Sequence, residues 1–136
     1  MANQIQSCFE RYDKKYMLTP AQLRVMLTGM KAHMVPDQYG KYTICNIYYD
    51  TPDWRLIRAS LEKPVYKEKL RVRSYGVAAP DGKAFVEIKK KFDGVVYKRR
   101  ITAPAPLVEP LLGGILEPDR FGQIGREIGW FQSFYH

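Results

Sequence analysis

Three segments between residues 63 and 100 alternate charged and apolar side chains with a period of two. In the first segment the apolar positions are Leu70 and Val72, and in the second they are Val86 and Ile88. The third segment, residues 95–101, is shorter, and in it Lys98 and Arg100 are two positions apart. Because a β-strand points successive side chains to opposite faces, this period indicates strands. We expect three adjacent strands that bury one face.

The opposite face of these predicted strands is almost entirely cationic. Residues 63–100 contain 12 of the 22 Lys and Arg residues and only four acids, so they carry the whole net charge of +8. Strand parity places the following residues on this face: Lys67, Lys69, Arg71, Arg73, Lys89, Lys91, Lys98 and Arg100, with Glu87 among them. So many cations repel one another unless an anion is bound. The pattern therefore favours an anion site over the alternative, the solvated face of an ordinary antiparallel sheet.

The N-terminal segment, residues 6–17, also alternates as a strand does. Parity places Arg11, Asp13 and Lys15 on one face. Two interpretations stay open for this set. It is either an exposed ion cluster that contributes little to stability, or a metal-binding carboxylate between two phosphate-binding cations.

The remaining elements complete an α+β pattern with an antiparallel sheet. Thr19 and Gln22 form a capping box that starts a helix, and residues 42–49 are rich in strand formers. A second helix is expected to start at Thr51 and a last one to cover residues 119–134. The length of 136 residues suits one domain.

Several classes of protein are excluded by what the sequence lacks. It has no phosphate-binding glycine loop of the common nucleotide folds, and His33 and His136 have no partner pattern for nucleophilic catalysis. No apolar run is long enough to cross a membrane, and no signal peptide is visible, so we expect a cytoplasmic protein. The pI near 9.5 indicates acidic partners: phosphates, nucleic acid or an anionic surface.

Three ordered motifs give this chain a resemblance to a known family. They are RYDKKYMLTPAQ, YTICNIYYDTPDWRLIRASLEKPVYKEKLRVRSYG and FVEIKKKFDGVVYKRRI. Together they closely resemble the VTC domain, the polyphosphate polymerase domain of the triphosphate tunnel metalloenzyme superfamily, which also contains the CYTH proteins. The resemblance extends over residues 9–135 and so covers nearly the whole chain.

The resemblance implies an antiparallel barrel, open at both ends, with flanking helices. Inward Lys and Arg side chains bind the phosphates of a triphosphate, a polyphosphate or ATP, and inward carboxylates hold Mn²⁺ or Mg²⁺. Eukaryotic members transfer the terminal phosphate of ATP to a growing polyphosphate chain, whereas other superfamily members hydrolyse triphosphates. Matched by motif, the tunnel cations are Lys15, Arg71, Arg73, Lys89, Lys98 and Arg100, and the carboxylates are Asp13 and Glu87.

One departure from the family pattern affects the expected assembly. In the family, the last helix is followed by further strands that close the tunnel and supply a metal-binding Glu. Residues 1–136 therefore correspond to the N-terminal portion of the fold. Either the chain is a fragment or a truncated gene product, or a homo-oligomer or a partner supplies the missing strands, and we expect an oligomer. Three functions stay open: a polyphosphate polymerase, a triphosphate hydrolase, or a non-catalytic binder of polyphosphate or, less favoured, nucleic acid. Replacing Arg71 or Arg73 with Ala is expected to weaken phosphate binding with little loss of fold.

Overall fold

The computed structural model describes the backbone of residues 8–12 and the whole of residues 14–135. The chain forms two compact units, a larger one that contains the sheet (Met1–Tyr12 and Thr43–His136) and a smaller one (Asp13–Tyr42). The described elements, in chain order, are β1 (Cys8–Tyr12), α1 (Pro20–Met30), β2 (Ile44–Tyr49), α2 (Arg55–Leu61), β3 (Tyr66–Tyr75), β4 (Lys83–Phe92), β5 (Val95–Pro104), α3 (Ala105–Leu112) and α4 (Gly122–Phe134). This arrangement confirms the α+β class.

The five described strands form one antiparallel sheet in the order β1-β5-β4-β3-β2. Its two edges are β1 and β2, and within the described residues no strand joins one edge to the other. The sheet is therefore open there, and the tunnel barrel that the resemblance implies stays a prediction. The strands β3, β4 and β5 are each 10 residues long. β3 has the predicted bounds, whereas β4 begins two residues before the predicted segment 85–92 and β5 continues three residues beyond the predicted segment 95–101.

The β4–β5 hairpin turns at Asp93 and Gly94, which both have positive φ angles, of 43° and 84°. Two central residues with positive φ define the tight turn whose twist matches that of the flanking strands, and Asp-Gly is among its preferred sequences. Because the turn fixes the pairing of Phe92 with Val95, it sets the register of the whole hairpin.

The apolar face of the sheet packs against the helices of the larger unit. Its core consists of Leu56, Leu70, Ala84, Val86, Ile88, Ile101, Ala103, Val108, Leu111, Ile128 and Phe131, all buried. These residues come from β3, β4, β5 and from α2, α3 and α4. Since the helices cover this face, the charged residues between the apolar ones project to the other side of the sheet.

Two helix starts test the predicted caps. Thr19 confirms its prediction, because its hydroxyl accepts a hydrogen bond from the backbone N–H of Gln22 at 3.3 Å and the Gln22 side chain accepts from the Thr19 N–H at 2.8 Å. The second helix begins at Arg55, four residues after the predicted start at Thr51. The Thr51 hydroxyl accepts a hydrogen bond from the backbone N–H of Arg55 at 2.9 Å, and Asp50 accepts from the N–H groups of Leu56 and Ile57 at 2.8 and 2.9 Å.

The predicted N-terminal strand is too long. β1 ends at Tyr12, and residues 14–19 have no regular secondary structure, so Lys15 is an exposed residue outside any strand. Throughout the part of the chain that the structure describes, each helix is too short or too polar to serve as a membrane span.

Candidate functional site: the cationic face of the sheet

The register of the sheet brings the predicted cations of three strands onto one face. One cross-strand row contains Tyr48, Arg71, Glu87 and Arg100, contributed by β2, β3, β4 and β5 in that order. The next row contains Lys69, Lys89 and Lys98. We call these two rows, with Asn46, Lys67, Arg73 and Lys91 at their flanks, the cationic face. Parity along each strand had predicted which cations share it, and the register agrees.

Glu87 lies at the centre of the cationic face and its side chain is fully buried. Its Oε2 accepts a hydrogen bond from Arg71 Nε at 2.5 Å. Its Oε1 lies 2.7 Å from Arg100 Nη2 and 3.8 Å from Lys98 Nζ, and these contacts are ion pairs without hydrogen-bond geometry. The Glu87 carboxylate is therefore within ion-pair distance of three cations: Arg71, Lys98 and Arg100.

The ionisation of Glu87 is set by two opposing effects. Burial disfavours the charged carboxylate and raises its pKa, but the charge of Arg71, the hydrogen bond from that side chain, and the charges of Arg100 and Lys98 outweigh burial. The net result is a pKa below the ordinary value for Glu. Glu87 is therefore an anion at neutral pH and acts as the internal counter-charge of the face.

The lysine row beside Glu87 has no acid among its three members. Lys69 is opposite Lys89, and Lys89 is opposite Lys98. Residues directly opposite one another on a sheet face have Cβ atoms roughly 5 Å apart, and like charges in such pairs are destabilising. All three are half-buried, so water screens them less than it screens surface lysines. Among the described side chains, the members of this row sum to the largest positive charge of any row on the face, and Lys98 also lies 3.8 Å from Glu87.

The flanks of the face hold the remaining predicted cations. Arg73 is half-buried, and its Nε donates to Asn46 Oδ1 at 2.9 Å. At the other flank Lys67 is opposite Lys91, and Lys67 Nζ donates to the backbone carbonyl of Ser60 at 3.1 Å. Lys91 is exposed. The flanking cations are thus more accessible than Arg71, which is only 8% exposed.

For three predicted site residues the described structure does not decide whether the side chain belongs to this face, although the backbone register puts Arg11 in line with Lys91 and Lys67. Arg11 is opposite Val96 in the β1–β5 register, on the strand next to Lys98, but its side chain lies outside the description. Asp13 lies outside the described residues altogether. Lys15 belongs to the smaller unit. The roles predicted for these residues stay predictions.

A metal centre requires several ligand side chains close together. Among the residues that the structure describes, no three His, Cys, Asp or Glu side chains are grouped closely enough to hold a metal ion. Glu87 is the single described carboxylate within the two rows, and both of its oxygens already face cations. The described residues alone therefore do not form a complete metal centre, and the roles predicted for Asp13 and Glu87 stay untested.

Two polar residues of β2 contact the cations of the face. The sequence gave Asn46 no role, and it suggested Tyr48 only as one of several tyrosines that could stack on bases, with sheet packing favoured. Asn46 contacts Arg73, and the Tyr48 hydroxyl accepts a hydrogen bond from Arg71 Nη1 at 3.2 Å. Asn is uncommon in strands, and Asn46 lies two residues before Tyr48. This was the feature of the sequence that could have indicated a role for both residues. Sequence alone gives no register between β2 and β3, because α2 intervenes.

The two main cavities lie away from the cationic face. One, of about 530 Å³, is bounded by the α3–α4 connection and Trp130 on α4. The other, of about 270 Å³, lies between the apolar side of β2 and α3. Neither of these two cavities is lined by a residue of the cationic face.

Comparison with models of protein families shows which family the chain belongs to. The sequence model described as the VTC domain matches residues 10–127. The chain belongs to the VTC domain family. This family is part of the tunnel-fold, polyphosphate polymerase group, so the function of the chain is related to polyphosphate. No curated protein matches the chain in a search by sequence. The VTC match includes all the strands and cations of the two rows, which places the cationic face within the family domain.

Proposed function

We propose that the cationic face of this VTC domain binds a triphosphate or polyphosphate chain and, where the tunnel is complete, supports metal-dependent transfer of a phosphoryl group from ATP to polyphosphate. The observation that carries the proposal is the row of Lys69, Lys89 and Lys98 beside the Glu87 cluster. A row of like charges on three neighbouring strands is unfavourable by itself. A bound polyanion relieves that repulsion.

The dimensions of the row favour a ligand with several phosphates. Neighbouring strands lie roughly 4.8 Å apart, so the row of three lysines spans about 10 Å. A single phosphate contacts one or two of these ammonium groups, whereas a phosphate chain that crosses the strands contacts all three. Arg71 and Arg100 lie in the adjacent row and add guanidinium groups, which suit bidentate binding of phosphate oxygens.

The chemistry assigned to such a site is charge stabilisation. Phosphoryl transfer requires mainly positioning and neutralisation of the charge on the transferred and leaving phosphates. Lys and Arg side chains at the observed positions would supply both. Mn²⁺ or Mg²⁺ would add further neutralisation, since such ions bind one or two carboxylates together with substrate phosphates. We assign the carboxylate role to Asp13 and to Glu87 through Oε1, the Glu87 oxygen that accepts no hydrogen bond in the described structure.

A complete tunnel needs further strands beside β1 and β2. Strand edges carry unpaired N–H and C=O groups that another strand can join. We propose that a second copy of the chain or a partner pairs with these edges, and the mass of the protein in solution measures association between copies directly. A protein that is monomeric at every concentration tested would contradict assembly with a second copy.

The second candidate is a non-catalytic binder of polyphosphate or nucleic acid. The observation that favours it is Tyr48, which is 55% exposed and whose ring centroid lies 5.7 Å from Lys69 Nζ and 5.9 Å from the Arg71 guanidinium. Exposed aromatic rings among cations serve as stacking platforms for bases. A triphosphate hydrolase differs from the polymerase only in the attacking group, which is water rather than the end of a phosphate chain.

One set of assays separates these functions. The purified protein is incubated with ATP and Mn²⁺, and the products are resolved as polyphosphate or as orthophosphate. Polyphosphate chains support the polymerase, and orthophosphate alone supports the hydrolase. If neither forms, competition between tripolyphosphate and single-stranded RNA identifies the preferred ligand. RNA binding that tripolyphosphate cannot displace would overturn the assignment of a phosphate-chain site.

A further inference from the structure

Tyr48 is the residue of the edge strand β2 that contacts the centre of the cationic face. Its hydroxyl accepts a hydrogen bond from Arg71 Nη1 at 3.2 Å, and its ring lies beneath the charges of Lys69 and Arg71, at 5.7 and 5.9 Å from the centroid. The residue is exposed and lies outside the buried core. Its contacts therefore concern the cations rather than the packing of the sheet.

The Arg71 guanidinium is held at two of its five N–H groups. Glu87 accepts from Nε on the β4 side, and Tyr48 accepts from Nη1 on the β2 side. A guanidinium is planar and its donors have a fixed fork geometry, so two contacts from opposite sides determine its orientation. The second N–H of Nη1 and both N–H groups of Nη2 are then directed by this clamp.

We propose that Tyr48 is a positioning residue for phosphate binding: it fixes the Arg71 guanidinium so that its remaining N–H groups bind phosphate oxygens in a bidentate manner. This inference rests on the proposed function. Glu87 contacts only Nε of Arg71 in the described structure, and a single contact leaves the far end of the guanidinium free to swing. The Tyr48 hydroxyl removes that freedom before the ligand arrives, which reduces the entropy lost on binding.

The electrostatic surroundings of Tyr48 are consistent with this role. Burial raises the pKa of its phenol, but the hydrogen bond from Arg71 and the charges of Arg71, Lys69 and Arg73 outweigh burial, so the net pKa is below the ordinary value. All three cations come from β3, the strand that pairs with β2. The phenol oxygen is therefore polarised towards Arg71, which strengthens the contact that orients it.

The test is a substitution that removes only the hydroxyl of Tyr48. Tyr48→Phe keeps the aromatic ring and its contact with Lys69, and Tyr97→Phe, on the opposite face of β5, is the matched control. Tripolyphosphate binding is measured by calorimetry in the wild type, in both variants, in Arg71→Lys and in Tyr48→Phe/Arg71→Lys. We expect Tyr48→Phe to weaken binding roughly three- to tenfold, as for the loss of one hydrogen bond, and Tyr97→Phe to leave it unchanged.

The double variant decides whether Tyr48 acts through Arg71. Lysine has no fork to orient, so Tyr48→Phe should have little further effect in the Arg71→Lys background, and the two effects should be non-additive. An equal effect in both backgrounds would mean that Tyr48 contacts the ligand itself, and this would overturn the positioning role. Wild-type affinity in Tyr48→Phe would overturn it too. A wild-type protein that binds no tripolyphosphate would overturn the proposed function, and the inference with it.

A second measurement keeps the proposal testable if Arg71→Lys does not fold. In protein labelled with ¹⁵N-arginine, Tyr48→Phe should change the guanidinium signals of one arginine in the ligand-free state, and tripolyphosphate should change the same signals in the wild type. If Tyr48→Phe changes no arginine signal, Tyr48 does not orient Arg71.

Discussion

Arg71 and Glu87 are opposite each other on adjacent strands, and Arg71 Nε lies 2.5 Å from Glu87 Oε2. Both side chains are buried. The pair has two roles in the cationic face. It stabilises the sheet, and it holds a guanidinium in the row where we propose that phosphates bind. Substitutions at this pair therefore affect both folding and binding, and the two effects must be measured separately.

Replacing Glu87 with Gln should destabilise the protein in the absence of a polyanion. The change leaves Arg71, Arg100 and Lys98 facing one another without a counter-charge, and breaking a buried ion pair typically costs about 3–5 kcal/mol. We expect a loss of about 3 kcal/mol in the free energy of unfolding, measured with denaturant. Tripolyphosphate should stabilise Glu87→Gln more than it stabilises the wild type. A variant as stable as the wild type would show that Glu87 is not the counter-charge of the face.

The Glu87 carboxylate should also make the free energy of unfolding decrease at acid pH. The pKa of Glu87 is lowered in the folded protein, so its contribution is present above the unfolded pKa and is lost as the pH falls through the folded pKa. The difference in unfolding free energy between wild type and Glu87→Gln should therefore be largest at neutral pH and shrink below about pH 4. A difference that stays constant from pH 7 to pH 3 would contradict this account.

Tyr135 should make the free energy of unfolding decrease at alkaline pH. Burial, the hydrogen bond to Glu68 Oε1 at 2.7 Å and the charge of Glu68 raise the pKa of Tyr135 to about 12. An unfolded tyrosine ionises near pH 10, so the stability from keeping this phenol neutral is lost as the pH rises from about 10 towards 12. Tyr135→Phe should cost about 1 kcal/mol at neutral pH and flatten this alkaline loss. Tyr97→Phe is the control, and equal losses in both variants would refute the assignment.

The sequence predicted the strands and the face because the information is local. A period of two along residues 66–75 and 85–92 is enough to assign Lys69, Arg71 and Lys89 to one side of a sheet. The Thr19 capping box is equally local, and it was predicted to the residue. The three motifs that carry the VTC resemblance lie within the residues that the family model matches.

What the sequence missed depends on contacts between distant segments. The pairing of Asn46 with Arg73 and of Tyr48 with Arg71 requires the β2–β3 register, which spans a helix. The sequence also led to the expectation that Arg71→Ala would leave the fold intact. The structure alters that expectation, because Arg71 is 8% exposed and ion-paired with Glu87. Arg73, which is half-buried and bound to Asn46, is the cleaner position for a binding variant.

The central claim is that the cationic face binds phosphate chains, and calorimetric titration with tripolyphosphate tests it most directly. The comparison is between Lys69→Gln/Lys89→Gln, which removes two charges from the lysine row, and Lys63→Gln/Lys90→Gln. The latter removes two charges from outside that row and leaves the same net charge. We predict that the first double variant binds at least about tenfold more weakly than the wild type, whereas the second stays within about twofold. Equal losses in the two variants would mean that tripolyphosphate responds only to net charge, and this would contradict a site on the cationic face.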